Sequence, residues 1–234
     1  VAWTTSGLQK LANGFTFAVG QGRLCSRLAA HQLDVLGGFH LEGDPALPAG
    51  TRTLLLIGLK EPGFWPHVTA QPEWDGTPDP MDRWSRRVIG GVACDIGAKA
   101  LFPFGGPPYH PFYQWALRTG RVWDSPIRLL VQATQGLMVS FRGALAIREV
   151  VAVPPAATKP CDTCVTKPCL TACPVAALGE GGYDVPACHA YLAAGDRDCM
   201  KAGCMSRRAC PVSATYARMP EQSAYHMSRF HGAD

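Results

Sequence analysis

Charged residues are scarce in this chain. Only 17% of its 234 residues are Asp, Glu, Lys or Arg, whereas 47% are apolar. This balance excludes a chain kept unfolded by charge repulsion and predicts a well-buried core. The formal net charge of +4 is too small to predict a nucleic-acid partner, and we expect none.

Long hydrophobic runs are also missing. No apolar run in the sequence approaches the roughly 18 residues that a membrane-spanning helix needs. The first residues show no charged segment followed by an apolar one, the pattern of a secretory signal. We therefore predict a cytoplasmic protein with no membrane partner.

Cysteine, by contrast, is abundant. The chain has ten cysteines, and eight of them lie between Cys161 and Cys210. In a reducing compartment, clustered cysteines favour metal binding over disulfide bonds. Cys25 and Cys94 stand apart from the others, and we expect both to be small buried residues.

The eight clustered cysteines form two runs that each end in Cys-Pro. The first run is Cys161-x2-Cys164-x4-Cys169-x3-Cys173-Pro174. The second is Cys199-x4-Cys204-x5-Cys210-Pro211, and Cys188 lies between the two. In two-cluster ferredoxins the last cysteine of a run ligates the cluster of the other run. The spacing thus predicts two [4Fe–4S] clusters, one held by Cys161, Cys164, Cys169 and Cys210, and the other by Cys173, Cys188, Cys199 and Cys204.

Two alternatives to redox clusters remain open. A pair of zinc sites with four cysteines each would use the same residues, but such sites usually contain two Cys-x2-Cys pairs, and this chain has one. Clusters that act only as structural staples of a small domain are the other alternative.

The remaining sequence predicts an α+β fold with two domains. The segment Pro154–Pro160 has the composition of a linker, which divides the chain into residues 1–153 and 154–234. A helix is predicted to begin at Asp79-Pro80, with Asp79 as its cap and one apolar stripe that packs on a sheet. The predicted strands are Phe15–Val19, Thr53–Leu59, Leu129–Val131 and Leu137–Ile147, with a turn near Gly136, and a second helix is predicted over Pro111–Thr119.

The segment around the isolated cysteine carries a family resemblance. Tyr183-Asp184-Val185-Pro186-Ala187-Cys188-His189-Ala190-Tyr191-Leu192, set between two Cys-Pro runs, resembles the dicluster domain of epoxyqueuosine reductases, and reductive dehalogenases carry similar domains. The resemblance implies that Cys188 is a cluster ligand in a small ferredoxin-type domain. It also implies that this domain passes electrons to a cobalamin held by a nitroreductase-like domain with a mainly antiparallel sheet.

A second resemblance concerns the N-terminal region. Gly105-Gly106-Pro107-Pro108-Tyr109, Ser125-Pro126-Ile127-Arg128-Leu129 and the segment from Gly136 to Gly143 are similar to CblC-type cobalamin-processing proteins. From the residues alone, a rigid loop at the glycine turn and a salt bridge at Arg142 are equally open. The cobalamin-binding residues that the resemblance implies are Gly105, Gly106, Pro107, Tyr109, Gly136 and Arg142.

Together these features predict an iron–sulfur electron-transfer protein that reduces a corrinoid, cobalamin, bound by its N-terminal domain. Such a protein would be a cobalamin-dependent or cobalamin-reducing oxidoreductase. The alternative is a ferredoxin-like electron carrier without a corrinoid, whose N-terminal domain serves a protein partner or another ligand such as a flavin. Both hypotheses require a redox partner protein as electron donor, and no residue stands out as a catalytic acid or base.

Overall fold

The structure is a computed structural model that describes residues 22–41, 44–195 and 197–232. The strand predicted at Phe15–Val19 lies outside these residues.

The described chain begins with a helix, α1, at residues 22–30. The strands are β1 Leu33–His40, β2 Thr53–Leu59, β3 Lys99–Leu101, β4 Val122–Asp124, β5 Leu130–Gln132, β6 Phe141–Ile147, β7 Leu178–Gly179 and β8 Gly182–Tyr183. The longer helices are α2 Phe64–Thr69, α3 Pro80–Asp95, α4 Phe112–Leu117, α6 Val185–Ala193 and α10 Pro220–His231. The shorter ones are α5 Pro160–Thr163, α7 Asp198–Ala202, α8 Met205–Arg208 and α9 Pro211–Thr215, with a 3-10 turn at Pro168–Leu170.

The main sheet has four strands in the order β1-β2-β6-β3, and each neighbouring pair is antiparallel. Strands β4 and β5 form a separate antiparallel pair, and so do β7 and β8. The α+β class and the antiparallel sheet predicted from the sequence are thus confirmed.

The sheet is covered on both faces. Every residue of β2 is buried, as its unbroken apolar run indicates. One face packs Leu55 and Ile57 against α3, and the other packs Leu54 and Leu56 against Trp115 of α4. The N-terminal region therefore has two apolar layers around one sheet.

Helix α3 spans Pro80–Asp95, where the sequence predicted it. Its stripe of Met81, Trp84, Val88 and Val92 is buried against the sheet. The predicted cap is wrong: Asp79 has φ 52°, and its side chain makes no capping hydrogen bond. A capping side chain works from an extended backbone, so the helix begins instead with the Asp79 carbonyl accepting from the amides of Asp82 and Arg83.

Strand β1 was missed because two glycines interrupt its sequence pattern. Both stand where another chain segment comes very close. A Cβ on Gly37 would lie 2.7 Å from the Cβ of Thr119, and one on Gly38 would lie 2.9 Å from the carbonyl oxygen of Leu54. These glycines allow close packing within a strand rather than marking a turn.

The strand predicted over Leu137–Ile147 begins later, at Phe141. Residues before it turn back, since Gln132 and Gly136 exchange two backbone hydrogen bonds. The Leu137 amide donates to the hydroxyl of Ser213, 2.8 Å away. Leu137 is thus bonded to the C-terminal region instead of to a neighbouring strand. The second predicted helix is also shorter, at Phe112–Leu117.

The C-terminal region consists of helices and the β7–β8 pair, and it packs against the N-terminal region. Leu137 and Val131 share one apolar cluster with Cys169, Leu178 and Cys210. Farther along the chain, Tyr225 of α10 packs against Trp65 and Trp74. Within the described residues, no helix is both long enough and apolar enough to cross a membrane.

Candidate metal centres

Four cysteines line one cavity of about 370 Å³, which we call the first cavity: Cys161, Cys164, Cys169 and Cys210. Helix α5 and its C-terminal end carry the first two, and the 3-10 turn carries Cys169. Cys210 directly precedes α9, and Pro211 is the first residue of that helix. These are the four cysteines that the spacing assigns to one cluster.

The other four line a second cavity of about 210 Å³: Cys173, Cys188, Cys199 and Cys204. Helices α6 and α7 carry Cys188 and Cys199, and Cys204 directly precedes α8. The last cysteine of each run therefore lies with the cysteines of the other run. Helix α8 packs against the 3-10 turn, so the two cavities are close neighbours.

The shape of the donor sets bears on the kind of metal they suit. Among the described residues, no group of three or more His, Cys, Asp or Glu side chains is placed to hold a single metal ion. A zinc ion draws four sulfurs to about 2.3 Å from one point. Both cavities are several times larger than the roughly 30 Å³ that one water molecule occupies. Each cavity therefore has room for more than a single small species beside its four thiols.

Burial changes the acid–base chemistry of these thiols. It raises the pKa of Cys161, Cys169, Cys188 and Cys199 above the usual value for a thiol. Without a metal these four side chains are neutral, and a bound metal would deprotonate them. All ten cysteines are free thiols, so disulfide bonds do not compete for them.

The first cavity is built against a glycine of the N-terminal region. Gly136 has φ 57°, and a Cβ at this position would lie 2.6 Å from the Ser213 amide nitrogen and 3.1 Å from the Cys210 sulfur. Only glycine allows this approach. Gly136, predicted to bind cobalamin, thus packs against the cysteine site.

Two arginines and a histidine gather around the second cavity, and the sequence interpretation did not single them out. Arg207, Arg218 and His226 all line it. The buried Nε atoms of both arginines and the Nε2 of His226 have no hydrogen-bond partner in the described part of the chain. Burial lowers the pKa of all three, that of Arg218 to about 9. The pair Arg207-Arg208 inside the second cysteine run was the available signal.

The other residues predicted to bind cobalamin lie elsewhere. Gly105, Gly106 and Tyr109 line an open cavity of about 260 Å³ together with Arg86. Pro107 lies between them in the same turn. This cavity is smaller than the 300 to 1,000 Å³ typical of sites for drug-sized ligands, and a corrinoid is larger than such ligands.

The guanidinium of Arg142 is already bonded to neighbouring side chains. It is buried, it forms an ion pair with Asp82, and its Nε donates to the Ser85 hydroxyl over 3.0 Å. Its guanidinium also lies 4.9 Å from the ring centre of Phe104, next to the glycine turn. The salt bridge left open by the sequence is therefore present, and the six predicted residues do not form a single pocket.

Cys25 and Cys94 differ from the expectation that they are buried. Both are exposed. Cys25 is on α1 and Cys94 lies near the end of α3, each on the side of its helix that faces away from the apolar core. Neither lines a cysteine cavity.

Comparisons of the chain with protein-family models, curated proteins and solved structures gave no match.

Proposed function

We propose that this chain is an iron–sulfur electron-transfer protein with two [4Fe–4S] clusters, one in each cysteine cavity. The observation that carries the proposal is the division of eight cysteines into two cavities of four. The crossing of the two Cys-Pro cysteines between the cavities supports it, since two-cluster ferredoxins share this exchange.

Each [4Fe–4S] cluster supplies a reversible one-electron change. The chain's own residues hold the clusters and limit water access, because Cys169, Cys199 and Cys210 are buried. Cys173, in the second cavity, follows Cys169, in the first, by only four positions. A chain of four residues spans at most about 14 Å, so an electron has a short path between the two sites.

The first test is the metal content of protein purified without oxygen. We expect about eight irons and eight acid-labile sulfides per chain, four of each per cluster. Replacement of Cys188 by Ala removes one donor from the second cavity and should lower the iron count to about four. Cys94→Ala is the matched control, because Cys94 lies outside both cavities, and it should keep about eight.

Two outcomes would contradict the proposal. Two zinc ions per chain and no visible absorption would identify the cavities as zinc sites. Iron clusters that dithionite cannot reduce and air cannot reoxidise would leave them only a structural role.

The electron acceptor is a separate part of the proposal. The resemblance to cobalamin-processing proteins nominates a corrinoid, and under this hypothesis only part of the corrinoid would contact the open cavity beside the glycine turn. The engagement of Gly136 with Cys210 and of Arg142 with Asp82 favours the alternative, an electron carrier without a corrinoid.

Titration of the cluster-loaded protein with hydroxocobalamin distinguishes a corrinoid acceptor from a protein acceptor. A saturable shift of the corrinoid bands, followed by faster cobalt reduction than in free solution, would support the corrinoid. We expect Tyr109→Ala to weaken that shift, because Tyr109 is two-thirds exposed at the mouth of the cavity. No shift with intact, reducible clusters would leave a carrier that serves a protein partner.

A further inference from the structure

The surroundings of the two cysteine cavities differ sharply in charge. Arg207, Arg218 and His226 line the second cavity, and no carboxylate is among the described residues that line it. Lys167 is the charged residue that lines the first cavity, again among the described residues, and it is exposed. An exposed charge is screened by water, whereas a buried one acts through a less polarisable medium.

The two arginines of the second cavity carry its positive charge, and they are close enough to act on each other and on the neutral His226 imidazole. Arg207 lowers the pKa of Arg218, after the larger effect of burial, and both arginines lower the pKa of His226 in the same way. Their other charged neighbours are few, and one of them, Arg142, also lowers the pKa of His226 while it is itself paired with Asp82. Glu61 acts on Arg218, and Asp198 near Cys199 is paired with Arg208. Such a grouping is costly unless an anion lies beside it.

A cluster with four cysteine ligands is such an anion. Its four thiolates outweigh the positive charge of the iron–sulfide core, and reduction adds one more negative charge. Buried cations beside the cluster therefore favour its reduced state. Hydrogen bonds to the ligand sulfurs act in the same direction, and here the Ala177 amide donates to the Cys173 sulfur over 3.3 Å.

We propose that Arg207 and Arg218 are positioning residues that raise the reduction potential of the second cavity above that of the first, so that electrons enter at the first cavity and leave from the second. This inference rests on the proposed function, because it presupposes a cluster in each cavity. One electron is given up at the Cys161 site and one is taken up at the Cys173 site. No bond is made, and the electron comes from a reduced one-electron donor protein.

The exit side has a suitable surface. Tyr183, which lines the second cavity, stacks on Phe230 with ring centres 5.9 Å apart. His189, next to Cys188 in the chain, lies 4.6 Å from the same ring. Phe230 itself is 38% exposed. An aromatic path thus runs from the second cavity to the protein surface.

The test is a redox titration of the full-length, cluster-loaded protein followed by electron paramagnetic resonance. The wild-type protein should show two one-electron transitions at different potentials. Arg207→Gln and Arg218→Gln should each lower the upper potential and leave the lower one in place. The expected effect is at least a tenfold fall in the equilibrium constant between the sites, which corresponds to about 59 mV for one electron.

Four further variants make the result specific. Arg207→Lys and Arg218→Lys keep the charge and should restore most of the upper potential. Arg121→Gln is the matched control, because Arg121 donates to the Pro155 carbonyl and lines neither cavity. Cys164→Ser assigns the transitions, since it should alter or remove only the lower one.

The inference is overturned if both glutamine variants leave the two potentials unchanged, or if Cys164→Ser alters the upper transition. The Cys164→Ser result tests the inference even if the arginine variants do not fold. Wild-type protein that contains no iron and no sulfide after anaerobic purification would instead contradict the proposed function. The two failures are therefore distinguishable by metal analysis of the same samples.

Discussion

At the scale of single residues, the clearest case is Arg142, a buried cation with assigned partners. Its ion pair with Asp82 and its hydrogen bond to Ser85 tie β6 to α3. Removing one partner of a buried pair leaves the other charge without compensation. Arg142 therefore stabilises the contact between sheet and helix.

We predict that Asp82→Asn lowers the free energy of unfolding by about 2 kcal/mol, between the values typical of exposed and buried ion pairs. Urea unfolding followed by tryptophan fluorescence measures the loss, since Trp84 lies two residues from the change in the same helix. Asp75→Asn is the control, because Asp75 pairs with Arg83 at the surface. Equal losses in the two variants would argue against a special role for Arg142.

The ten cysteines should divide by reactivity. Cys25 and Cys94 are exposed and lie outside the cavities, whereas the other eight would be metal ligands under our proposal. Iodoacetamide should add two labels to the native, cluster-loaded protein and ten after unfolding in chelator. Mass spectrometry of the peptides checks this. Rapid labelling of Cys173 or Cys188 in the native protein would show that these thiols are not ligands.

At the scale of elements, the turn between β5 and β6 links the sheet to the first cavity. Gly136 approaches Ser213 and Cys210 more closely than any side chain allows. Leu137 then donates to Ser213, and Gln135 donates to the Leu59 carbonyl at the end of β2. The position of Cys210 is thus set by a turn of the N-terminal region.

We predict that Gly136→Ala disrupts the first cavity and lowers the iron count from about eight to about four. The added Cβ would overlap the Ser213 amide, and alanine is strained at φ 57°. Gly179→Ala is the matched control, because nothing lies within 4 Å of its added Cβ. An unchanged iron count in Gly136→Ala would separate this turn from cluster assembly.

At the scale of the whole molecule, the two regions differ in what stabilises them. The N-terminal sheet is buried between two apolar layers. The cysteine region instead contains helices of only four or five residues, such as α5, α7, α8 and α9. Helices this short do not persist without tertiary support, and their apolar cluster includes the cysteines themselves.

Iron removal should therefore unfold one region before the other. We expect hydrogen exchange in the chelated protein to accelerate between residues 160 and 215, while β2 and β6 keep their protection. Reconstitution with iron and sulfide should restore the slow exchange. Uniform loss of protection along the chain would mean that the sheet also depends on the metal.

Much of this organisation follows from local patterns. The apolar run of β2 and the stripe of α3 predict their elements because burial on one or two faces leaves a direct trace in residue order. Strand β1 escaped prediction because Gly37 and Gly38 break that trace for a reason that lies in other segments, Thr119 and Leu54. Asp79 failed as a cap because its backbone is left-handed there.

The sequence by itself predicted the α+β class and the two groups of four cysteines, because two runs that each end in Cys-Pro match the ligand exchange of two-cluster ferredoxins. Only the tertiary structure decided what surrounds those groups. Gly136 meets Cys210 across 74 positions of the chain, and Arg218 joins Arg207 through the folding of α8 and α9. Contacts of this kind depend on packing between distant segments, and residue order records no periodicity for them.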